Sequence, residues 1–167
     1  MAILDILQYP DSRLYTPAKR VEKIDAAARK LVDDLAETMY AAPGVGLAAT
    51  QVDIHKQILV IDVSDDHSDL RVFINPEITR REGIAVNQEG CLSLPGIYDN
   101  VERAESVTVT ALDRNGSRFT LNASGMLATC IQHEMDHLEG KVFVDYLSEL
   151  KQNRVRSKLK KRQRKAA

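Results

Sequence analysis

The sequence lacks several features that would assign it to particular protein classes. It has no tryptophan, and two cysteines among 167 residues are too few for a disulfide framework, which favours a reducing cytoplasm. No apolar run approaches the roughly 18 residues of a membrane span. The segment 1–5 also lacks the basic region and the long apolar region of a secretory signal. We therefore expect a cytoplasmic protein that does not enter the membrane.

The remaining composition is that of a folded domain. Hydrophobic residues make up 44% of the chain and charged residues 28%, which is ordinary for a globular protein. Acidic residues are absent from 151–167, which holds nine lysines and arginines, whereas 1–150 holds 14 basic and 24 acidic residues. The sequence thus predicts a single domain over 1–150 and a basic tail or helix over 151–167.

Apolar patterning predicts an α+β fold with a mostly antiparallel sheet. Asp25 caps a predicted helix that runs to about Tyr40. The segment 44–51, small and nearly uncharged, is predicted to be a loop that another backbone can approach closely. The predicted strands are 57–63, 71–75 with Pro76 as its end, and a hairpin of 106–112 and 117–122.

The strongest chemical signal is His133-Glu134-Met135-Asp136-His137, in which a carboxylate follows the first of two histidines that are four residues apart. On a helix such histidines lie on one face about 6 Å apart and can bind one metal ion. Glu134 is then placed as a base rather than a ligand. Asn122 or Ser124 is expected to cap this helix, and Gly140 to follow its end. The alternative interpretation is a buried helix whose histidines are hydrogen-bonded in the core.

A catalytic site of this kind needs a third protein ligand and one open position. Two downstream acids, Asp145 and Glu149, remain open as ligands, although nothing in the sequence recommends them. Cys130 lies on the face of the first histidine, but the helix rises about 10 Å from it to His137, so we interpret it as a small core residue beneath the site. Cys91 lies between a glycine and a short apolar run; it is either a buried structural thiol or, as the best candidate, the third ligand.

Three segments together resemble the peptide deformylases. Residues 44–51 match G-x-G-L-A-A-x-Q, residues 89–93 match E-G-C-L-S, and residues 132–138 match Q-H-E-x-D-H-L. Their order and spacing also agree, and the similarity continues from the N-terminal segment to about Leu150. The chain is most similar to the bacterial form with a long basic C-terminal helix. The expected fold is α+β, with mostly antiparallel sheets packed around a central His-Glu-x-x-His helix, an N-terminal helix and a basic C-terminal helix.

The resemblance implies that 1–150 is a metallohydrolase domain. Cys91, His133 and His137 would bind a divalent metal with water in the fourth position. The family implies Fe²⁺ as the native ion, with Zn²⁺, Ni²⁺ or Co²⁺ possible in preparations, since affinity order alone does not select iron over zinc. The implied reaction is hydrolysis of the N-formyl group from the N-terminal methionine of newly synthesised polypeptides, which releases formate.

The resemblance also assigns catalytic and supporting roles. Glu134 would take a proton from water and pass it to the departing amine. The Gln51 side chain and the Leu92 backbone N–H would donate to the oxyanion. We expect Glu89 and Asp136, together with Arg103, to support the metal ligands, although the sequence does not assign their partners.

Substrate recognition would rest on an extended peptide that pairs with the backbone of Val45, Gly46 and Gly90. Asn87, and Met126 in place of a common leucine, would make the methionine pocket less selective. The residues expected to line that pocket are Val45, Met126, Thr129, Cys130 and the ring of His133.

The basic segment 151–167 is expected to bind ribosomal RNA and proteins near the exit tunnel, where formylated nascent chains emerge. Nine cations without an acid would give strongly salt-dependent binding to phosphates. The alternative is a solvated helical tail. The resemblance is consistent with a monomer, and no membrane partner is expected.

Two other functions compete with a deformylase. A small His-Glu-x-x-His peptidase would use a carboxylate or histidine as its third ligand. A non-catalytic RNA-binding module would hold a structural metal, which requires a closed site of four side chains. This chain could close such a site only by adding Cys130 or His55.

Overall fold

The computed structural model describes residues 2–166, and side chains over 2–162. A five-stranded antiparallel sheet has the order β1-β2-β3-β6-β7, and β4 and β5 form a separate two-stranded ribbon. This confirms the predicted α+β fold. The helices and strands are α1 (Ala26–Ala41), β1 (Gly46–Ala48), β2 (Ile58–Ile61), β3 (Arg71–Glu82), β4 (Ala85–Cys91), β5 (Leu94–Arg103), β6 (Ser106–Leu112), β7 (Arg118–Ser124), α2 (Gly125–Leu138) and α3 (Glu149–Ala166).

The helix α2 lies at the centre of the molecule and packs against strands of the five-stranded sheet. Its apolar side is formed by Ala128, Ile131 and Leu138, which pack against Phe73 and Val109 of the sheet. The helix α1 packs against β1 and β2 through a second cluster. The opposite side of α2 is thereby left to carry the polar residues of the motif.

The predicted helix α1 and the hairpin β6–β7 are confirmed. Asp25 is the N-cap of α1, where its carboxylate accepts a hydrogen bond from the Ala28 N–H at 3.0 Å. The hairpin pairs Leu112 with Arg118 and Ser106 with Ser124 across its length. Both elements follow from short-range signals, namely a capping carboxylate and an Asp-Arg-Asn-Gly turn.

Two local predictions were wrong. The strand at 71–75 does not end at Pro76, because β3 continues to Glu82 through a register shift at the proline, where a missing N–H is tolerated. The segment 44–51 is not a loop throughout: Gly46–Ala48 is strand β1 and Ala49–Val52 is a 3-10 helix. By contrast, the N-cap of α2 is Ser124, one of the two residues predicted for this position, although its side chain makes no capping hydrogen bond.

The ribbon β4–β5 was not predicted as a unit. Its two strands pair from Ala85 opposite Arg103 to Gly90 opposite Tyr98, with a register shift before Cys91. The shift at the end of β4 places Cys91 beside α2. The ribbon therefore carries the middle of the chain to the helix that bears the two histidines.

The basic helix α3 packs on the body of the protein rather than extending free in solvent. Val155 and Leu159, four residues apart, are 7% and 4% exposed. They join a cluster that includes Leu7, Leu94 and Phe143. Over residues 2–166, no helix combines the length and apolarity needed to cross a membrane.

Candidate active site

Cys91, His133 and His137 meet at the end of β4 on the polar side of α2. The Cys91 Sγ lies 3.3 Å from the His137 Nε2, and that nitrogen lies 3.2 Å from the His133 Nε2. The three ligand atoms all lie within 4.8 Å of one another. Both rings are buried and the sulfur is partly buried. Local helix geometry positions the two rings, whereas the pairing of β4 with β5 positions the sulfur.

The geometry and chemistry of this cluster fit a tetrahedral metal ion. Sulfur and nitrogen ligands at about 2.1–2.3 Å from such an ion are separated by roughly 3.4–3.6 Å from each other, close to the observed spacings. Asp145 is not in the cluster; its carboxylate accepts from the Val142 N–H at 2.9 Å. Cys130 is also outside it, and in residues 2–166 this cluster is the group that brings three such donors together.

Glu89, Arg103 and Asp136 form a buried ion-pair network behind His133. The Arg103 guanidinium donates two hydrogen bonds to Glu89, each 2.9 Å, and one to Asp136 of 2.5 Å. Glu89 in turn lies 2.9 Å from the His133 Nδ1. With the Nδ1 proton directed at Glu89, the Nε2 lone pair of His133 points toward the sulfur. These contacts supply the partners that the sequence left unassigned.

Tyr146 completes this network at its outer end, and the sequence analysis did not identify it. Its hydroxyl donates to the Asp136 carboxylate at 2.8 Å, and the Arg103 guanidinium lies 5.2 Å from its ring centre. The network therefore runs from a half-buried phenol on the surface to a ring at the centre of the site. No local pattern around Tyr146 indicates this role, because its partners come from β5 and α2.

Glu134 is a buried carboxylate that faces the cluster. Its Oε2 lies 4.0 Å from the His133 Nε2, and its Oε1 has no hydrogen-bond partner among the described residues. Burial raises the pKa of Glu134 to about 7, against an opposing effect of the His133 charge. The carboxylate thus lies beside the cluster with one oxygen free to accept a proton.

The pKa values of the two imidazoles are shifted in opposite directions. Burial and the neighbouring His133 charge lower the pKa of His137 well below its ordinary value. Burial alone would also lower the pKa of His133, but the negative charge of Glu134 and contacts with Cys91 and Glu89 raise it well above its ordinary value. Neighbouring acidic groups therefore raise the pKa of His133, whereas the positive charges of His133 and Arg103 help to lower that of His137.

Gln51 contacts the cluster at Cys91, whereas Glu89 contacts it at His133. The Gln51 side-chain oxygen accepts from the Ala48 N–H at 2.9 Å. This fixes its amide nitrogen toward the Ser93 hydroxyl at 3.1 Å and the Cys91 sulfur at 3.5 Å. Leu92 follows Cys91 directly in the chain, and Gln51, Cys91 and Leu92 line one cavity. The structure therefore brings both predicted oxyanion donors beside Cys91.

A cavity of about 1410 Å³ opens onto this cluster. One wall is a stripe on α2 with the spacing of successive helical turns, namely Met126, Thr129, Cys130 and His133. Burial raises the pKa of the Cys130 thiol to about 12, so it stays protonated. Cys130 lines the cavity while also packing against the core, in agreement with both roles that the sequence analysis gave it.

The other predicted substrate residues line the same cavity. Val45 and Gly46 lie at the start of β1, and Gly90 lies in β4. Each of these strands pairs with a neighbour on one side only, so two strand edges border the cavity. The sequence analysis missed further lining residues from the N-terminal segment and β5, which carry no chemical motif: Ile3, Leu4, Ile6, Pro95 and Tyr98.

Comparisons with known proteins agree with this site. A family model, Polypeptide deformylase, matches residues 3–153. The peptide deformylase 1 of Burkholderia multivorans is 61% identical over 98% of this chain and 91% of its own length. The peptide deformylase of Neisseria meningitidis is 58% identical over 98% of both chains.

Solved structures show the same fold. A peptide deformylase from Legionella pneumophila superposes with a TM-score of 0.95 at 50% identity, covering 98% of this chain and 96% of that one. The Ehrlichia chaffeensis peptide deformylase in complex with actinonin gives a TM-score of 0.94 at 43% identity, covering 98% and 99%. The family match, the relatives and the cluster of Cys91, His133 and His137 beside Glu134 together lead to one conclusion: the chain belongs to the polypeptide deformylase family.

Proposed function

We propose that this enzyme removes the formyl group from the N-terminal methionine of newly synthesised polypeptides in the cytoplasm and releases formate. The observation that carries the proposal is the buried Glu134 carboxylate, which has an unpartnered oxygen and faces Cys91, His133 and His137. This arrangement combines three metal donors with a base that is not itself one of them. Family membership then selects the substrate.

Cys91, His133 and His137 would hold one divalent ion. When bound, such an ion acidifies a water molecule and polarises the formyl oxygen. The Cys91 thiolate brings negative charge that a third imidazole would not. The bound ion would therefore acidify water less strongly, and Glu134 would matter more as the base. Family resemblance favours Fe²⁺, and the same donors also suit Zn²⁺, Ni²⁺ and Co²⁺.

Glu134 would move the proton. Its unpartnered Oε1 accepts a proton from the attacking water, and the same carboxyl then protonates the amine of methionine as the C–N bond breaks. Burial, which raises its pKa to about 7, makes the protonated carboxyl accessible for the second step. One residue thereby serves as base and then as acid.

Gln51 and Leu92 would stabilise the oxyanion that forms when water adds to the formyl carbon. The Gln51 amide nitrogen is already oriented, because its oxygen is held by the Ala48 N–H. The Leu92 N–H follows Cys91 at the end of β4. Each preorganised donor of this type contributes about 10²–10³ to kcat.

The methionine side chain would enter the pocket formed by the α2 stripe and Asn87, while the peptide backbone pairs with the edges of β1 and β4. Backbone pairing at Val45, Gly46 and Gly90 does not depend on the sequence after methionine. The polar Asn87 and the exposed Met126 would relax the selectivity of the pocket for methionine itself.

The test is formate release from formyl-Met-Ala-Ser by protein prepared without oxygen and loaded with Fe²⁺. Glu134→Gln should keep the metal and lose at least 10²-fold in kcat, because the amide cannot accept the proton. Glu139→Gln, an exposed position just beyond α2, is the matched control and should retain activity.

Cys91→Ser distinguishes this function from the two competing ones. It should lower metal affinity strongly if Cys91 is a ligand. Retained metal and peptide-bond cleavage in this variant would instead support a peptidase with another third ligand. Absence of formate release from the wild type, with RNA binding that Glu134→Gln leaves unchanged, would support a non-catalytic module.

We further propose that α3 binds the ribosome through its exposed cations. The apolar residues Val155 and Leu159 face the body, so exposed basic residues such as Arg154, Lys160 and Lys161 lie on the outer side. Phosphates of ribosomal RNA fit this one-signed surface, and binding should weaken steeply with salt.

Substitution of Arg154, Lys160 and Lys161 by glutamine is a cleaner test than truncation after Leu150, which would also remove Val155 and Leu159 from the core. Co-sedimentation with ribosomes at low salt should fall, while formate release from short peptides stays constant. Unchanged co-sedimentation would contradict the proposal. Substitution of exposed Arg80 and Arg81 on β3 provides the control for general loss of positive charge.

A further inference from the structure

A second cavity, of about 360 Å³, borders the Arg103 network and has no role in the chemistry described above. It opens between α2, the turn from β3 to β4 and the end of β5. On α2 it uses Gln132, Met135, Asp136 and Glu139, a different stripe from the one on the substrate cavity. Among the described residues, the two cavities share no lining residue. A cavity of this size suits a small organic ligand.

The Asp136 carboxylate presents an unused oxygen to this second cavity. The Tyr146 hydroxyl and the Arg103 guanidinium both donate to its Oδ2. Over residues 2–162, no donor contacts its Oδ1. The Asp136 side chain is only 15% exposed, so little solvent reaches this oxygen. A carboxylate oxygen largely removed from water is stabilised by any donor that can reach it.

Gln132, the other polar side chain on the floor, has its hydrogen-bonding groups occupied. Its amide oxygen accepts from the Ala104 N–H at 3.0 Å. Its amide nitrogen donates to the Ala104 and Ala128 carbonyl oxygens at 2.9 and 3.1 Å. Gln132 therefore shapes the cavity, whereas Asp136 offers the polar group to which a ligand could bind.

The charges around the second cavity favour a cation. Its charged lining residues are three acids and two arginines: Glu102, Asp136, Glu139, Arg81 and Arg103. Arg103 also compensates the buried Glu89, so one guanidinium serves two carboxylates. Lys141 lies 3.3 Å from Glu139, but these side chains are 53% and 61% exposed, so solvent screens the pair. The cavity therefore retains an excess of negative charge.

Apolar side chains form the rest of the wall. Ile84 and the Tyr146 ring are 70% and 51% exposed, and Met135 is half-buried beside them. Large apolar side chains grouped at the surface around polar groups are typical of binding sites. A ligand with an apolar body would cover this surface while its charged end reaches Asp136.

We propose that the second cavity binds a small organic cation, whose planar amidinium or guanidinium head pairs with Asp136 and whose apolar body packs on Ile84 and Tyr146. Such heads are more weakly hydrated than an ammonium group, so they suit a partly buried carboxylate. Their charge-assisted hydrogen bonds are roughly twice as strong as neutral ones. The site is independent of the proposed function, because its lining residues include no proposed metal ligand, base or oxyanion donor.

The experiment titrates benzamidine into the Fe²⁺-loaded protein at low salt and measures the heat of binding. We expect a Kd of about 1 mM or lower, which is within reach of so small a ligand. Benzamide has nearly the same shape but no charge, so it should bind at least about tenfold more weakly. Absence of benzamidine binding, or equal affinity for the two compounds, would overturn the proposal.

Two variants test where the cation binds. Asp136→Asn keeps the size of the side chain and removes its charge, so benzamidine affinity should fall at least about tenfold. Because this change also deprives Arg103 of a partner, Ile84→Lys provides a second test at an exposed position that is insensitive to folding. Its amine would repel the ligand and should lower benzamidine affinity at least about fivefold.

Leu70→Lys is the matched control for Ile84→Lys. It adds the same charge just before β3, at the end of that strand opposite Arg81, and should leave benzamidine affinity unchanged. Unchanged affinity in Ile84→Lys would contradict binding in this cavity. Equal losses in the two lysine variants would likewise contradict it, since they would indicate a general effect of net charge.

Discussion

Gly46 and Glu134 approach each other more closely than a larger residue at position 46 would allow. Gly46 is buried in β1, and a Cβ on it would lie 2.5 Å from the Glu134 Oε2. The glycine is therefore required by the close approach of a carboxylate, not by its own backbone conformation. At the residue scale, the absence of a side chain at position 46 determines where the Glu134 carboxylate, the proposed proton acceptor, can lie.

Gly46→Ala should displace the Glu134 carboxylate while leaving the metal donors in place. A misplacement of about 1 Å in a catalytic group lowers the rate by roughly 10²-fold. We expect that loss in kcat for formate release, with Fe²⁺ content unchanged by elemental analysis. Alanine retains the backbone N–H and C=O, so KM should change little. Wild-type turnover in this variant would show that Glu134 does not need its observed position.

Elements that are distant in the chain are held together by one arginine. Arg103 of β5 is buried and binds Glu89 of β4 and Asp136 of α2. The side chains of Arg103 and Glu89 are only 5% and 4% exposed. Burial opposes ionisation of both groups, but mutual hydrogen bonding keeps the pKa of Glu89 below its ordinary value. At the element scale, this network fixes the ribbon against α2 and orients His133.

Arg103→Met should leave Glu89 and Asp136 as buried acids without their cation. Removing one partner of a buried pair typically costs about 3–5 kcal/mol, so the free energy of unfolding of the metal-free protein should fall by that amount in urea denaturation. Metal affinity should also fall roughly 10- to 100-fold, because the orientation of His133 is lost.

Arg114→Met is the control for this prediction. Arg114 pairs with Asp33 in an ion pair whose side chains are 43% and 36% exposed. Solvent screens such a pair, so neither urea stability nor metal affinity should change measurably. Equal effects of the two substitutions would show that burial of the Arg103 network is unimportant.

At the scale of the whole molecule, α3 closes one side of the core. Leu159 is 4% exposed and belongs to a cluster contributed by the N-terminal segment, β5, the 143–146 turn and α3. Further contacts join the helix to the end of the ribbon, including a hydrogen bond of 3.1 Å from the Lys158 amine to the Gly96 carbonyl. The basic helix therefore combines a core-packing side with an exposed charged side.

Leu159→Ala should lower the free energy of unfolding by about 2–4 kcal/mol, since it removes buried methyl groups and leaves a cavity. Urea denaturation measures this directly. Lys160→Ala, at the adjacent exposed position, should leave stability nearly unchanged. Similar stability of both variants would mean that α3 is not part of the cooperative fold.

The sequence predicted the parts of the fold and site that depend on short-range geometry. Two histidines four residues apart share a helix face wherever the helix forms, and a capping aspartate fixes the start of α1. Three motifs also indicated the family, which the comparisons confirm. The ribbon β4–β5 escaped prediction because its strands contain glycine and proline and face solvent on one side, so their apolar pattern is weak.

The sequence by itself determined the fold class, the helix that carries His133 and His137, and the set of residues able to bind a metal. Only the tertiary structure decided that Cys91, 46 residues before His137, lies 3.3 Å from it. The same holds for the partners of Arg103, the approach of Gly46 to Glu134 and the second cavity beside Asp136. The physical reason is that helix periodicity acts over one turn, whereas strand pairing and close packing join residues whose separation in the chain carries no local signal.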